Sequence, residues 1–379
     1  MNRALLSILS LAILASPALA AECPPVERTP GPPVYAILYG YPYSGPGGQL
    51  PNDPDPPLEM VDDDVMRMAR FFQALGPRQL YVHGEPSRDL LARFSAFGVR
   101  PPTWRSLRQS VAELVYDIDR EGDSAEGEPQ IYVYLAGHGR RYRGPHGSRL
   151  MFFGRPDGMG PGYNGMLNSA LFAEHVLTPL AARGRVHVIA DTCFSYVLLQ
   201  TRGMKLIKRV IKAPPREFYE EAFGKAFPDV GALLASRSAA YEGRERAGHF
   251  THALRSAAVG LADTNSDGVI TYGEMDRALA LAAESDRGLR GPTAIGPGLD
   301  PDAPFIRWDH SPAARVCAPP GAAVKIFDGP DLFATLPDRF ESVGLWLPAG
   351  HAFTVGDVSF EAAESDWVPL IEAPAAMGR

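Results

Sequence analysis

Two residues suited to covalent catalysis stand at the ends of two apolar runs. Ile131-Tyr132-Val133-Tyr134-Leu135-Ala136 leads into Gly137-His138-Gly139, and Val186-His187-Val188-Ile189-Ala190 leads into Asp191-Thr192-Cys193-Phe194-Ser195. A thiol is a weak nucleophile until its proton is removed, and an imidazole is the minimal partner that can remove it. The pair therefore offers acyl transfer through a thioester, with Cys193 as nucleophile and His138 as general base and then acid. A glycine after the histidine lets backbone pass close to a substrate carbonyl, so the N–H groups of Gly139 and Cys193 are the expected oxyanion donors. Taken singly, a cysteine at a strand end is commonly a small buried hydrophobe, and a histidine between glycines a turn residue. It is the matched contexts that carry the reading.

Positioning this pair requires neighbouring strands. Both runs are β-branched and aromatic with little alternation, the pattern of strands buried on both faces. Open α/β sheets place their chemistry at the carboxyl ends of such strands. A first strand is expected over Val34 to Tyr39, followed by a Gly/Pro-rich irregular loop, Tyr41 to Pro57, beside the site. Val65, Met68, Phe72 and Leu75 then recur at helical spacing between Asp62-Asp63 and Gly76-Pro77. A short strand over Gln79 to Val82 precedes a helix over Ser106 to Asp119, with Leu107, Val111, Leu114, Val115 and Ile118 on one face. A further helix from Asn168 to Thr178, interrupted at Pro179, connects the His138 strand to the Cys193 strand. The order predicts an α/β fold, a mostly parallel sheet sandwiched by helices. After the Gly/Pro-rich stretch Gly288 to Pro304 the pattern changes. Short apolar runs separated by Asp328-Gly329-Pro330 and Pro348-Ala349-Gly350 predict a small C-terminal all-β module over 311–379, with the main domain over 21–310.

Of the 379 residues 45% are hydrophobic and 21% charged, and the net charge is −7. A globular core is expected, and nucleic-acid binding is not. Residues 1–20 read as a signal peptide: Arg3 as the positive start, Ala4 to Ala15 as the apolar stretch, Ala18-Leu19-Ala20 as the cleavage site. The expectation is an exported protein, periplasmic or secreted, with no membrane span. With Cys193 as nucleophile, Cys23 and Cys317 remain as a candidate disulfide.

Asp263 to Glu274 fits a twelve-residue EF-hand loop. Asp263, Asn265 and Asp267 occupy positions 1, 3 and 5, Gly268 position 6, the Val269 carbonyl position 7, Thr271 position 9 and Glu274 position 12. Helical flanks are expected at Phe250 to Leu261 and Gly273 to Ala283. The loop is solitary in the sequence, so Ca²⁺ binding in the weak range of extracellular modules is expected, with a structural or regulatory role. The alternative is an Asx-rich turn that holds no metal.

The segments "YLAGHG" and "DTCFS", with "DDDVMRMARFFQALG", "LLASRSAAYEGRE" and "GHFTHAL", resemble the caspase-like cysteine peptidases, the bacterial and metacaspase-like branch more than the animal caspases. Cys193 lies 55 residues after His138, in keeping with the spacing of about 50 in caspases. The resemblance spans Val34 to His310 and implies an endopeptidase acting on peptides or proteins. In metacaspases the position of Asp191 is acidic and helps bind a basic side chain before the scissile bond; by strand alternation Asp191 points to the same side as Cys193. Asp64 matches the second acidic pocket residue. The resemblance thus implies cleavage after Arg or Lys. The alternatives are that Asp191 caps a turn and that Asp62 to Asp64 complement a helix N-terminus. It also implies that the basic stretch 201–216, with Arg202, Lys205, Lys208, Arg209, Lys212 and Arg216, is a place for self-processing; a solvated charged face is the other reading. The acidic cluster through which metacaspases take calcium is not carried over, because "RRYRGPHGSRLMFF" is basic and apolar. The C-terminal module resembles bacterial SH3-like modules. Two rival readings are a legumain-like peptidase, which shares the Gly-His-Gly and Asp-x-Cys layout, and a catalytically silent Ca²⁺-binding scaffold.

Overall fold

The structure, a computed structural model, describes residues 31–43, 57–93, 97–122, 127–144, 147–199, 216–236, 248–286, 288–289, 291–308, 314–317, 324–328, 331–336, 342–347, 352–355, 358–361 and 370–372. Residues 1–20, where a signal peptide is expected, Cys23, most of the loop after Tyr41 and the basic stretch 201–215 lie outside these residues.

Seven strands form one sheet in the order β11-β9-β8-β4-β1-β2-β3. They are β1 (Val34–Tyr41), β2 (Gln79–His83), β3 (Val99–Arg100), β4 (Gln130–Gly137), β8 (Arg185–Thr192), β9 (Val230–Leu234) and β11 (Thr293–Ile295). All pairings are parallel except β11 on β9. Chain order runs outward in opposite directions from the β1–β4 boundary, the switch point where such sheets open a crevice.

Both sheet faces are covered, which is why β1, β4 and β8 show no polar alternation. Ala36, Leu38, Tyr132, Tyr134 and Ile189 share a buried cluster with α1 (Val61–Ala74) through Val65, Met68 and Phe72. Tyr35, Ile37, Val133 and Val188 share the opposite cluster with α3 (Trp104–Glu121) through Leu107, Val111 and Leu114. A short α2 (Arg88–Arg93) lies between β2 and β3. Each large apolar side chain so buried contributes ~1.5–3 kcal/mol relative to exposure. Thr103 caps α3 by accepting the Ser106 N–H at 3.0 Å, and Gly76, at φ +63°, terminates the turn after α1.

The helix expected to stop at Pro179 continues past it. Asn168 caps α4 (Ser169–Phe172), a π-helical turn follows over Ala173–Leu177, and α5 (Thr178–Ala181) places Pro179 in its first turn. A proline there lacks an N–H that the new helical start does not need. Ahead of this run, β5 (Gly139–Gly144), β6 (Gly147–Phe153) and β7 (Met166–Asn168) form a small antiparallel sheet that the sequence pattern does not announce.

Beyond α6 (Arg216–Ala226) and β9 come α7 (His249–Ser256), continued by a π-helical turn over Ala257–Leu261, and α8 (Tyr272–Ser285). Between them β10 (Val269–Thr271) pairs antiparallel with β12 (Pro304–Arg307). The C-terminal strands form two further sheets. β13 (Ala314–Cys317) pairs with β16 (Ser342–Leu345) and β19 (Leu370–Glu372). β14 (Val324–Asp328) pairs with β15 (Asp331–Leu336) and β17 (Ala352–Val355), and β18 (Val358–Glu361) with β17. They pack on α7: the His252 ring meets Thr335 Oγ1 at 2.9 Å, and Arg255 donates to the Leu332 carbonyl at 3.1 Å. Among the described residues no helix is long and apolar enough to cross a membrane.

Candidate active site

β4 and β8 pair in parallel over their whole length, ending with Gly137 opposite Thr192. The residues that follow are His138 and Cys193, so the two stand side by side where the strands end. Adjacent strands lie about 4.8 Å apart. His138 is the single residue between β4 and β5, where the chain leaves the parallel sheet for the antiparallel one. Both side chains are partly exposed and Gly139 is buried; Cys193 forms no disulfide with a described residue.

The two glycines around His138 are required by contact. A Cβ on Gly137 would lie 2.4 Å from the Tyr41 carbonyl oxygen, and its φ of +138° suits glycine alone. A Cβ on Gly139 would lie 2.0 Å from the Cys193 carbonyl oxygen and 3.1 Å from the Cys193 nitrogen. The backbone of residue 139 thus rests directly on that of residue 193.

The turn after Cys193 is held in a strained form. Phe194 has φ +57°, a region that bulky L-residues avoid. Ser195 fixes it: its buried Oγ donates to the Ser236 carbonyl at 3.0 Å and accepts the Ser236 N–H at 3.1 Å. This ties the end of β8 to the end of β9, just before residues 237–247, which lie outside the described part.

Of the three aspartates on α1, Asp64 is the one turned inward. Asp62 accepts the Glu85 N–H at 3.0 Å, at the strand-end loop after β2. Asp64 is 3% exposed and accepts the Gly248 N–H at 2.8 Å. Asp191 accepts from Thr251 through Oγ1 at 2.6 Å and through the amide at 3.3 Å. A Cβ on Gly248 would lie 2.7 Å from Asp64 Oδ2 and 2.8 Å from Asp191 Oδ2. Residues from three elements, 127 positions apart at the extreme for the acid pair, thus converge at the start of α7. Burial pushes the Asp64 carboxyl well above the usual carboxylate range, and the charge of Asp191 raises it further. The Gly248 amide and the guanidinium groups of Arg67 and Arg255 draw it back. Asp64 Oδ1 is buried and has no hydrogen-bond partner among the described residues.

The EF-hand-like loop has the expected backbone, with Ser266 at φ +59° and Gly268 at φ +77°. Its carboxylates are turned onto the loop itself. Asp263 accepts the Asp267 and Gly268 N–H groups at 3.2 and 3.0 Å, and Asp267 the Val269 N–H at 2.7 Å. Asn265 Oδ1 accepts the Asp267 N–H at 3.1 Å. Glu274 takes Thr264 on Oε1 and Thr271 on Oε2, both hydroxyls at 3.0 Å, and closes a capping box with Thr271. Burial raises the Asp263 carboxyl, with Asp267 and Glu274 adding to the effect. Among the described residues no three acidic, His or Cys side chains are gathered as metal ligands. The donor set is still that of a hard cation, six residues offering side-chain or carbonyl oxygens around one loop. The strand of the loop is covered by β12, with Ile270 opposite Ile306, where a second EF-hand loop would ordinarily sit.

Gly248, Thr251, Tyr134 and Ser195 were not singled out by the sequence. The "GHFTHAL" segment contained the first two, but nothing local marks which of its polar groups face an aspartate 60 residues away.

No protein-family model matches this chain, and no curated protein matches it. Among solved structures it is similar to caspase-1 from Spodoptera frugiperda, at 12% identity over 70% of this chain and 86% of that chain, with a TM-score of 0.33. A likeness that loose assigns neither family nor activity.

Proposed function

We propose that the chain is a caspase-like cysteine endopeptidase cutting after Arg or Lys. The observation that supports it most is the register of β4 on β8, which leaves His138 and Cys193 as neighbours beyond Gly137 and Thr192. In this reading His138 takes the Cys193 thiol proton, and the thiolate attacks the carbonyl carbon of the scissile bond. The Gly139 and Cys193 N–H groups hold the oxyanion. His138 then returns its proton to the leaving amine; it next takes a proton from water, which attacks the thioester carbon, and the Cys193 thiolate leaves and is reprotonated by His138. Asp64 and Asp191 accept the basic side chain through charge-assisted hydrogen bonds in a largely desolvated recess.

The test is labelling by an arginyl chloromethylketone, with Cys193→Ala as control, beside Asp191→Ala assayed on Arg- and Asp-terminated fluorogenic peptides. Labelling confined to Cys193 and loss of Arg cleavage in the Asp191 variant are expected. No labelling at Cys193 favours the silent scaffold, and efficient cleavage after Asp overturns the specificity. Export to the periplasm or medium and self-cleavage within 201–216 belong to the same proposal. So does Ca²⁺ at Asp263, Asn265, Asp267, the Val269 carbonyl, Thr271 and Glu274, where Glu274 would exchange its two threonine hydroxyls for the ion.

A further inference from the structure

Asp191 of the acid pair is reached by a chain of two hydroxyls, Thr251 and Tyr134. Thr251 Oγ1 lies 2.6 Å from Asp191 Oδ2 and 2.7 Å from the Tyr134 hydroxyl. The proposed recognition of a cation requires an ionised Asp191, which only accepts, so the single Thr251 proton goes to Asp191. The Tyr134 hydroxyl must then donate to Thr251. Tyr134 is fully buried on β4, and burial holds its phenol protonated far above neutral pH. The result is a directional relay, Tyr134 to Thr251 to Asp191, crossing from β4 to α7 to β8.

The relay fixes one oxygen of Asp191, as the Gly248 amide fixes one oxygen of Asp64 at 2.8 Å. A carboxylate on a strand end can rotate about χ2, a broad and soft torsion. Anchoring Oδ2 chooses the rotamer and so determines where Oδ1 points. Thr251 is itself 1% exposed, and its amide also reaches Asp191, at 3.3 Å. Its position on the first turn of α7 is supported by the contacts that His252 and Arg255 of the same helix make with β15 at Thr335 and Leu332.

We infer that Thr251, backed by Tyr134, is a positioning residue for recognition of the basic side chain: it presents Asp191 to the substrate cation without touching the substrate. This rests on the proposed Arg/Lys specificity. It predicts that loss of the hydroxyl weakens substrate binding more than it slows the chemistry, since the Cys193 thiol and His138 are not part of the relay.

The experiment compares the full chain with Thr251→Val, Thr251→Ser and Tyr134→Phe on an Arg-terminated fluorogenic peptide. In parallel, alkylation of Cys193 by iodoacetamide, which carries no basic group, is followed by mass spectrometry. Thr251→Val is isosteric and should raise KM roughly tenfold, the effect of losing one hydrogen bond to a charged group, with kcat falling no more than about twofold. Thr251→Ser should recover KM to within about threefold, Tyr134→Phe should raise it in the same direction, and alkylation rates should match the wild type. An unchanged KM in Thr251→Val overturns the inference, as does an equal loss of kcat and alkylation in Thr251→Val that serine does not rescue. If the wild type alkylates but does not cut Arg peptides, the specificity reading fails and the inference falls with it.

Discussion

Replacing Gly139 by alanine tests the proposed active-site geometry at its tightest point. The added methyl would sit 2.0 Å from the Cys193 carbonyl oxygen and 3.0 Å from its carbonyl carbon. An ordinary contact needs about 3.4 Å, so the two backbones must part by roughly 1.4 Å. Neither can move freely. Residue 139 begins β5, opposite Phe152, and residue 193 is held from behind by the Ser195–Ser236 pair. The displacement therefore falls on the space between imidazole, thiol and oxyanion donors. A misplacement of about 1 Å costs about 10²-fold in rate, so kcat/KM of Gly139→Ala on an Arg-terminated peptide should fall at least that far. Circular dichroism and thermal melting establish that the sheet persists. A folded variant retaining activity within about threefold would refute the claim that the 139–193 contact belongs to the reacting geometry.

Phe194→Gly should be more stable to urea than Phe194→Ala by about 1 kcal/mol, because both lose the ring but only alanine keeps the left-handed penalty at φ +57°; equal midpoints would show that the turn carries no such cost. Burial raises Asp62 from 3.8 to about 6, and Asp64 is also raised, by burial first. A carboxyl with a raised folded-state pKa binds more protons folded than unfolded, so its contribution to stability is greatest below pH 4 and declines as pH rises through 6. Asp62→Asn should flatten that decline in a pH series of melting temperatures, and a decline as steep as the wild type would contradict the shift. Titration with Ca²⁺ should release heat and raise the melting temperature, and Glu274→Gln should abolish both; heat in the variant equal to the wild type would exclude the loop as the site.

The sequence made the centre of the sheet legible because β1, β4 and β8 are buried on both faces, and continuous apolar runs leave little alternative. The adjacency of the two strand ends that precede His138 and Cys193 followed from two such runs. The inward turn of Asp64 did not follow, since three consecutive aspartates sweep around a helix and only the packing of α1 against β1 selects among them. Thr251 was hidden for a related reason: its partners lie on β4 and β8, and local sequence holds no trace of a contact across the layers. Pro179 misled because a proline ordinarily ends a helix, whereas a π-helical turn restarts one here. The sheet β5-β6-β7 escaped notice because arginines and glycines obscure any period of two.

The C-terminal strands are no appendage. Val316, Ile326, Phe333 and Phe353 belong to the same buried cluster as Phe71 and Leu254, and the Trp346 N–H bonds to the Val259 carbonyl at 2.9 Å. A truncation at the apparent domain boundary would strip the interior wall from behind α7 and leave greasy flanks wet. The two halves thus share one core, and a shortened chain would expose apolar surface that the C-terminal strands now cover.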